Sequence, residues 1–301
     1  MSTKYIFAII GGDRRQAVIA DKLLALGHTV RICGLGDFAV KKTGSELFLS
    51  VEKAISGCDA VLLPLPVSRD GQSLNMLSVD KKDSPLLSDI VKYTAKNPKP
   101  FIIGGLIPKQ MRNMADALSV NIADYYESED LQRKNALPSA EGALMISMEN
   151  TDRVIRGMKA LISGYGRIGK CLADILYKLG ADVSVGARRD EVICEIAMSG
   201  YNAIKMTDEG KMKNAVNSCD VIFNTVPSVI FTERILSGVK HSPIYVEIAS
   251  SPGGISLHHA RKNGIRIFTA PSLPGRYAPA SAGEYIFETI QDILYERGIK
   301  I

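Results

Sequence analysis

The sequence of 301 residues lacks any long apolar segment. A membrane-spanning helix needs about 20 consecutive apolar residues, and no run in the chain approaches that length. Residues 1–14 form a strand-and-turn pattern rather than a charged segment followed by a cleavable apolar one. We therefore expect neither membrane residence nor a secretion signal, and we predict a cytoplasmic protein.

Cysteine and histidine are both scarce, with five and four residues respectively. The cysteines are scattered singly and odd in number, which is typical of buried thiols in a reducing compartment and unlike the paired spacing of a zinc site. We expect no metal. The histidines lie in turn, helix-end or helical contexts, so a catalytic histidine is not favoured.

Positive charge is only in slight excess, because 37 Lys and Arg against 32 Asp and Glu give a formal net charge of +5. No block of Lys or Arg is interleaved with aromatic residues. Nucleic acid is therefore not an expected partner, and the charge better suits attraction of anionic small molecules. A hydrophobic content of 46% and this length suit two folded domains.

Short apolar, β-rich runs alternate with helical patterns along the chain, which is the rhythm of βαβ units. The runs are residues 5–10, 28–34, 60–65 and 100–104, and the rhythm restarts at residue 159 with further runs at 182–187, 220–225, 244–248 and 265–269. Strands this continuously apolar belong in parallel sheets that are covered on both faces. The sequence therefore predicts an α/β protein with two sheets.

The most informative segment is residues 158–169, in which an apolar strand runs directly into a glycine-rich turn. In such a turn Gly164 permits the tight bend, Gly166 lets the backbone approach a pyrophosphate, and Gly169 lets the next helix pack closely. The phosphates then meet the unpaired N–H groups of the helix N-terminus. The turn is bracketed by a strand, a helix and a second strand, so we predict a dinucleotide site rather than a structural turn. The predicted loop contacts are Gly164, Tyr165, Gly166, Arg167, Ile168 and Gly169.

The residues after the second strand bear on which dinucleotide binds. Ala187 is followed by Arg188 and Arg189, where an NAD-preferring fold places an acidic residue. Guanidinium groups bind a ribose 2′-phosphate through charge-assisted hydrogen bonds, so NADP is favoured over NAD. Two solvated surface arginines are the alternative. We expect the nicotinamide to be held by loop backbone after later strands, at Thr225, Val226, Pro227, Ala249 and Ser250.

These patterns predict two Rossmann-like domains with parallel sheets, joined by interdomain helices. Residues 1–137, completed by a helix over 281–301, are expected to bind substrate and partner, and residues 158–280 to bind NADP. Pro138 and Ser139 look like a helix-entry signal, so residues 138–157 are predicted to form the connecting helix. Such a plan predicts a cleft in which cofactor meets substrate.

Several motifs, in this order and spacing, resemble the family of the dipicolinate synthase A subunit over nearly the whole chain. They are residues 11–16 (GGDRRQ), 136–142 (ALPSAEG), 164–169 (GYGRIG), 186–188 (GAR), 224–227 (NTVP), 249–254 (ASSPGG) and 273–275 (LPG). The glycine loop alone fits many dehydrogenases, whereas the first two motifs are much more specific. The chain departs from the family pattern at Glu247, where Asp is commoner, and at Ser251 and Ala280, where Lys is commoner.

The resemblance implies oxidation, with NADP as hydride acceptor, of a dihydrodipicolinate-type ring to pyridine-2,6-dicarboxylate during sporulation. The ring would form by loss of water from 4-hydroxy-tetrahydrodipicolinate. The resemblance also implies a partner, the flavoprotein-like B subunit of dipicolinate synthase, and a homo- or hetero-oligomer. The implied location is the mother cell of a sporulating bacterium.

Two alternatives stay open. A D-2-hydroxy-acid dehydrogenase shares the two-domain plan, but its set of Arg, carboxylate and His is not found after Pro227. The chain could instead be an NADP-binding regulatory or scaffold subunit.

A dianionic substrate needs cationic groups or N–H donors. The turn at residues 11–12 feeds a helix N-terminus, so we expect its backbone amides and a guanidinium to clamp a carboxylate. A surface salt bridge is the alternative for each arginine. The predicted substrate contacts are Gly12, Asp13, Arg14, Arg15, Ser68 and Arg276, with Arg69 as a further candidate.

Rearomatisation also removes a proton, so a base is expected near the ring. Glu141 is the predicted base, and together with Ser139, also at the predicted start of the connecting helix, it forms the predicted catalytic pair. A carboxylate that only stabilises a helix start is the alternative for Glu141.

Overall fold

The computed structural model describes residues 3–36, 44–76, 84–98, 101–239 and 241–301. The chain divides into two compact units, of which unit 1 is Met1–Asn135 with Ala278–Ile301 and unit 2 is Ala136–Tyr277. Each unit contains a six-stranded parallel sheet. The predicted fold class, two Rossmann-like α/β units, is confirmed.

The two sheets have the same topology. Unit 1 contains β1 (Ile6–Ile10), β2 (Thr29–Cys33), β3 (Ser45–Leu47), β4 (Ala60–Leu62), β5 (Phe101–Gly104) and β6 (Asn121–Asp124), and unit 2 contains β7 (Lys159–Ser163), β8 (Asp182–Ala187), β9 (Asn202–Lys205), β10 (Val221–Asn224), β11 (Ile244–Glu247) and β12 (Arg266–Thr269). Their orders are β3-β2-β1-β4-β5-β6 and β12-β11-β10-β7-β8-β9. In both, the order reverses beside the first strand, which is the place where open α/β sheets bind ligands.

Helices cover the sheets. They are α1 (Arg14–Ala25), α2 (Val51–Ile55), α3 (Leu87–Thr94), α4 (Lys109–Ala117), α5 (Glu129–Asn150), α6 (Arg167–Lys178), α7 (Asp190–Met198), α8 (Glu209–Ser218), α9 (Glu233–Leu236), α10 (Leu257–Lys262), α11 (Leu273–Tyr277) and α12 (Pro279–Glu296). In unit 1, α12 approaches α1 closely, since a Cβ on Gly283 would lie 2.7 Å from the Cβ of Val18. Within the described ranges, no helix is long and apolar enough to cross a bilayer.

The predicted strands are present, and three further strands were not predicted. These are β3, β6 and β9, and each lies at an edge of its sheet. Their residues are mostly exposed or half-buried, unlike Phe7 to Ile10 of β1, which are fully buried. These three edge strands have a neighbour on one side only and carry no continuous apolar run, whereas β12, also at an edge, lies in the predicted run 265–269. Residue 100, in the predicted run 100–104, lies outside the described residues.

The connecting helix begins earlier than predicted. α5 starts at Glu129 and ends at Asn150, with Pro138 inside it, so the predicted helix bounds of 138 and 157 are wrong. A proline removes one helical N–H and is most often a start signal, but here the turns before it are held by packing, because Leu131 is fully buried in the hydrophobic core of unit 1. Here the first turn is acidic and Glu129 pairs with Arg133 at 3.1 Å, which favours an earlier start.

The N-terminus of α1 is capped by its own side chains. The Asp13 carboxylate accepts the N–H of Arg15 (3.0 Å), and the Gln16 amide oxygen accepts the N–H of Asp13 (3.1 Å). The Arg15 guanidinium, 3% exposed, donates to both carboxylate oxygens of Asp13 (2.9 and 2.7 Å) and to the carbonyl of Leu65. Burial opposes its charge, but the Asp13 hydrogen bond and charge prevail and raise the pKa of Arg15.

We expect Asp13→Ala to destabilise unit 1 strongly. It leaves the Arg15 guanidinium buried without a carboxylate, and breaking a buried pair in this way costs about 3–5 kcal/mol. The free energy of unfolding from a urea titration measures this. The control is Glu284→Ala, which removes an exposed pair with Lys22 on the same unit and should cost less than about 1 kcal/mol. Equal effects of the two substitutions would show that the Asp13–Arg15 pair does not stabilise the unit.

Candidate functional site

The glycine loop of unit 2 needs glycine at two positions for reasons of close contact. Gly164 has φ +95°, and a Cβ there would lie 2.5 Å from the Thr225 hydroxyl. A Cβ on Gly169 would lie 2.2 Å from the carbonyl oxygen of Gly164, so only glycine lets α6 pack against the loop. A Cβ on Gly166 would meet no atom within 4 Å. The middle glycine therefore faces open space, as expected of the residue that a pyrophosphate approaches.

The helix N-terminus behind this loop is available to an anion. Gly166 is the N-cap of α6, no side chain caps it, and the first turn has no acidic residue. The first amide groups of a helix need partners, and a phosphate is one that also favours the positive end of the helix dipole. This end of α6 therefore has the features of a phosphate site.

A groove of about 400 Å³ opens beside the loop and is termed the unit 2 groove. Its volume lies in the range of small-molecule sites, about 300–1,000 Å³. It is lined by Gly164, Tyr165, Gly166, Ala187, Arg188, Arg189, Val192, Met206, Thr225, Val226 and Pro227. Val192 and Met206 were not predicted, and Met206 follows the missed strand β9. The lining does not include the predicted cofactor residues Arg167, Ile168, Gly169, Ala249 and Ser250.

The charge at the end of β8 is positive. Ala187 is the last residue of the strand, and both Arg188 and Arg189 are exposed and form no ion pair within the described ranges. The nearest acidic residue along the chain, Asp190, is bound to Lys205. The groove thus presents guanidinium groups at the position where a carboxylate would otherwise bind the ribose.

The corresponding turn of unit 1, residues 11–16, is covered by its own chain. The N–H of Gly12 donates to the carbonyl of Asn75 (3.0 Å). A Cβ on Gly11 would lie 2.8 Å from the side chain of Leu74, and one on Gly34 would lie 1.9 Å from the methyl of Met76. Residues 74–76 therefore lie over the ends of β1 and β2. The corresponding position in unit 2 is the open groove.

This arrangement bears on the predicted carboxylate clamp at the turn, which stays a prediction. Asp13 accepts the amide of Arg15 and pairs with its guanidinium, and the amides of Gly12 and Asp13 are also bonded within the unit. A substrate carboxylate would have to displace these contacts. Gly12, Asp13 and Arg15 thus have structural roles here, whereas Arg14 is exposed.

Ser68 is engaged in a turn of its own. Its hydroxyl donates to the Asp70 carboxylate (3.0 Å) and accepts the N–H of Gly71 (2.9 Å). The backbone N–H groups of Ser73 and Gln72 also donate to Asp70 and hold its pKa well below its usual range. Arg69, within this turn, is exposed.

The predicted catalytic pair lies within α5 rather than at its start. Glu141 is exposed near the middle of the helix, and Ser139 is 8% exposed. The alternative of a helix-start carboxylate is therefore wrong, because the helix begins at Glu129. Arg276 is exposed on α11 with its guanidinium 5.2 Å from the ring of Tyr277. The lining of the unit 2 groove includes no histidine, and the described residues contain no group of three or more metal-ligating side chains.

Comparison with known proteins covers both units. Residues 6–126 match the family model of the N-terminal domain of the dipicolinate synthase A subunit, and residues 140–274 match that of the S-adenosyl-L-homocysteine hydrolase NAD binding domain. The dipicolinate synthase A subunit of Bacillus subtilis (strain 168) is 29% identical over 296 residues, which cover 98% of this chain and 98% of that protein.

Solved structures agree with the sequence matches. The crystal structure of the dipicolinate synthase A chain from Bacillus subtilis has a TM-score of 0.83 at 27% identity, covering 98% of this chain and 97% of that one. The corresponding crystal structure from Bacillus halodurans has a TM-score of 0.85 at 27% identity, covering 98% and 99%. The resemblance predicted from the motifs is confirmed, because along almost its whole length this chain is similar to the A subunit of dipicolinate synthase.

Proposed function

We propose that the chain is the NADP-dependent oxidoreductase subunit of a dipicolinate synthase. It oxidises a dihydrodipicolinate-type ring, formed from 4-hydroxy-tetrahydrodipicolinate by loss of water, to pyridine-2,6-dicarboxylate. The observation that carries the proposal is the unit 2 groove, in which an uncapped helix N-terminus and an open glycine loop lie beside two arginines. The match of unit 2 to an NAD-binding domain supports a nicotinamide cofactor, and the relatives supply the substrate class.

The residues of the groove suit the two halves of the cofactor. Arg188 and Arg189 would bind the 2′-phosphate, the amides at the start of α6 the pyrophosphate, and the backbone at Thr225–Pro227 and Ala249–Ser250 the nicotinamide. Bound NADP would accept a hydride. The loop after β10 would hold the nicotinamide ring without side-chain obstruction, because it offers backbone, small side chains and a proline rather than bulky polar groups.

The substrate needs partners for its charge and for the second hydrogen that aromatisation removes. One ring C–H bond breaks with its electron pair leaving as hydride, and another hydrogen leaves as a proton. We propose Glu141 as the group that accepts this proton. Arg14 and Arg276, both exposed, are the proposed carboxylate ligands.

We also propose a protein partner and a location. The partner is the flavoprotein-like B subunit of the same synthase, since the relatives are named as one subunit of dipicolinate synthase. The proposed location is the mother cell of a sporulating bacterium.

Cofactor reduction by the purified chain tests the function. The chain is given NADP and freshly generated 4-hydroxy-tetrahydrodipicolinate, alone and together with the B subunit, while absorbance at about 340 nm reports NADPH. We expect NADPH and pyridine-2,6-dicarboxylate to form in equal amounts. Product formed without cofactor reduction would contradict an oxidoreductase role, and NADPH formed only from a D-2-hydroxy acid would favour the competing dehydrogenase.

We expect NADP to bind about 10-fold or more tightly than NAD, because a charge-assisted contact contributes roughly 1.5–3 kcal/mol. Arg188→Asp should erase or reverse this ratio, as measured by titration calorimetry with both dinucleotides. The matched control is Arg234→Asp, a charge reversal at an exposed arginine of α9, which should leave the ratio unchanged. NAD binding as tightly as NADP to the unmodified chain would refute the assignment.

We expect Glu141→Gln to lower kcat by roughly 10²-fold or more, the lower end of what general acid–base catalysis contributes, because Gln cannot take a proton. Glu141 is exposed, so the melting temperature and NADP affinity should not change. Glu149→Gln changes another exposed carboxylate of α5 and should leave kcat unchanged. A Glu141→Gln variant with normal kcat would leave the proton acceptor to another group.

A further inference from the structure

A row of three polar side chains crosses the unit 2 sheet where its strands end. The register of the parallel strands pairs Asn224 with Ser163 on one side and with Glu247 on the other. The Ser163 hydroxyl donates to the Asn224 amide oxygen (2.6 Å), and the Asn224 amide nitrogen donates to a Glu247 carboxylate oxygen (2.6 Å). Ser163 and Asn224 are fully buried. The row thus connects the last residues of β7, β10 and β11.

Glu247 organises the loop that follows its own strand. Its carboxylate accepts four donors, of which Asn224 and the N–H of Ala249 (3.2 Å) reach one oxygen, and the hydroxyl of Tyr245 (3.1 Å) and the N–H of Gly254 (2.8 Å) reach the other. The loop wraps closely, since a Cβ on Gly253 would lie 2.7 Å from that carboxylate. One carboxylate therefore ties both ends of residues 249–254 to the sheet.

Asn224 holds the start of the loop after β10. Its amide accepts the N–H of Val226 (3.2 Å) and donates to the carbonyl of Val226 (2.9 Å). Val226 and Pro227 line the unit 2 groove. Glu247 holds the Asn224 amide in this orientation, because a carboxylate can only accept and so faces the amide nitrogen.

The position of this row relates it to one half of the cofactor. The arginines after β8 mark the adenosine side of the glycine loop, so the nicotinamide side is that of β10 and β11. We propose that Glu247 is a positioning residue for the nicotinamide half, acting through Asn224 and the loops after β10 and β11. This inference rests on the proposed function.

The experiment compares NADPH with 2′-phospho-ADP-ribose, which is NADP without its nicotinamide, on the full chain. Glu247→Gln keeps the size of the side chain but turns an NH₂ group toward backbone or amide donors. We expect NADPH affinity by calorimetry to fall about 10-fold while the affinity for the fragment stays within about 2-fold, since leaving buried donors unpaired disturbs only the adjoining loops. Glu233→Gln, at an exposed carboxylate of α9, should change neither affinity.

Equal losses for both probes, or no loss for either, would overturn the inference. Tyr245→Phe provides a second test if Glu247→Gln does not fold, because it removes one of the four donors and keeps the buried ring. We expect it to lower the affinity for NADPH about 3-fold and to leave the affinity for the fragment unchanged. An equal effect on both affinities would overturn the inference. If the unmodified chain binds the two probes equally, Glu247 positions no nicotinamide. If it binds neither probe, the proposed function itself fails.

Discussion

The first turn of an α-helix leaves backbone N–H groups without partners in the helix, and they must be satisfied from outside it. The two units of this chain meet that requirement in opposite ways. In unit 1 the Asp13 carboxylate accepts N–H groups of the first turn of α1, and the Gln16 amide oxygen accepts the N–H of Asp13 itself. In unit 2 the equivalent helix begins at a glycine loop without any side-chain cap. The difference decides which unit can offer its helix N-terminus to a ligand.

Topology alone does not distinguish the units, since both sheets have the same strand order and reverse it beside the first strand. Local chemistry does. In unit 1 a carboxylate follows the glycines directly and residues 74–76 lie over them, whereas Gly166 of unit 2 faces open space. A fold that places ligands at its switch point therefore provides a location, and the side chains around that location determine whether anything binds there.

The sequence predicts those features that depend on residue type within a short segment. Gly164 and Gly169 are required by close backbone contacts, so the motif indicated the loop correctly. Central strands such as β1 are buried on both faces and appear as apolar runs, but the edge strands β3, β6 and β9 do not. Long-range contacts are harder to predict. The hydrogen bond between Asn224 and Glu247 joins residues 23 positions apart, and it follows only from the register of β10 and β11. The pairing of Asp13 with Arg15 is hard to predict for a related reason, because it is evident only once the guanidinium is known to be buried.

The capped turn of unit 1 can also be regarded as an anion site whose ligand is part of the chain. A tethered group competes at an effective concentration set by its linkage, which reaches millimolar values even for short flexible linkers. Asp13 is adjacent to the helix it caps and is held further by Arg15, so a dissolved anion would have to compete with a carboxylate that is already in place. The same sheet topology thus supports a turn that is occupied by its own chain in unit 1 and an uncapped turn in unit 2.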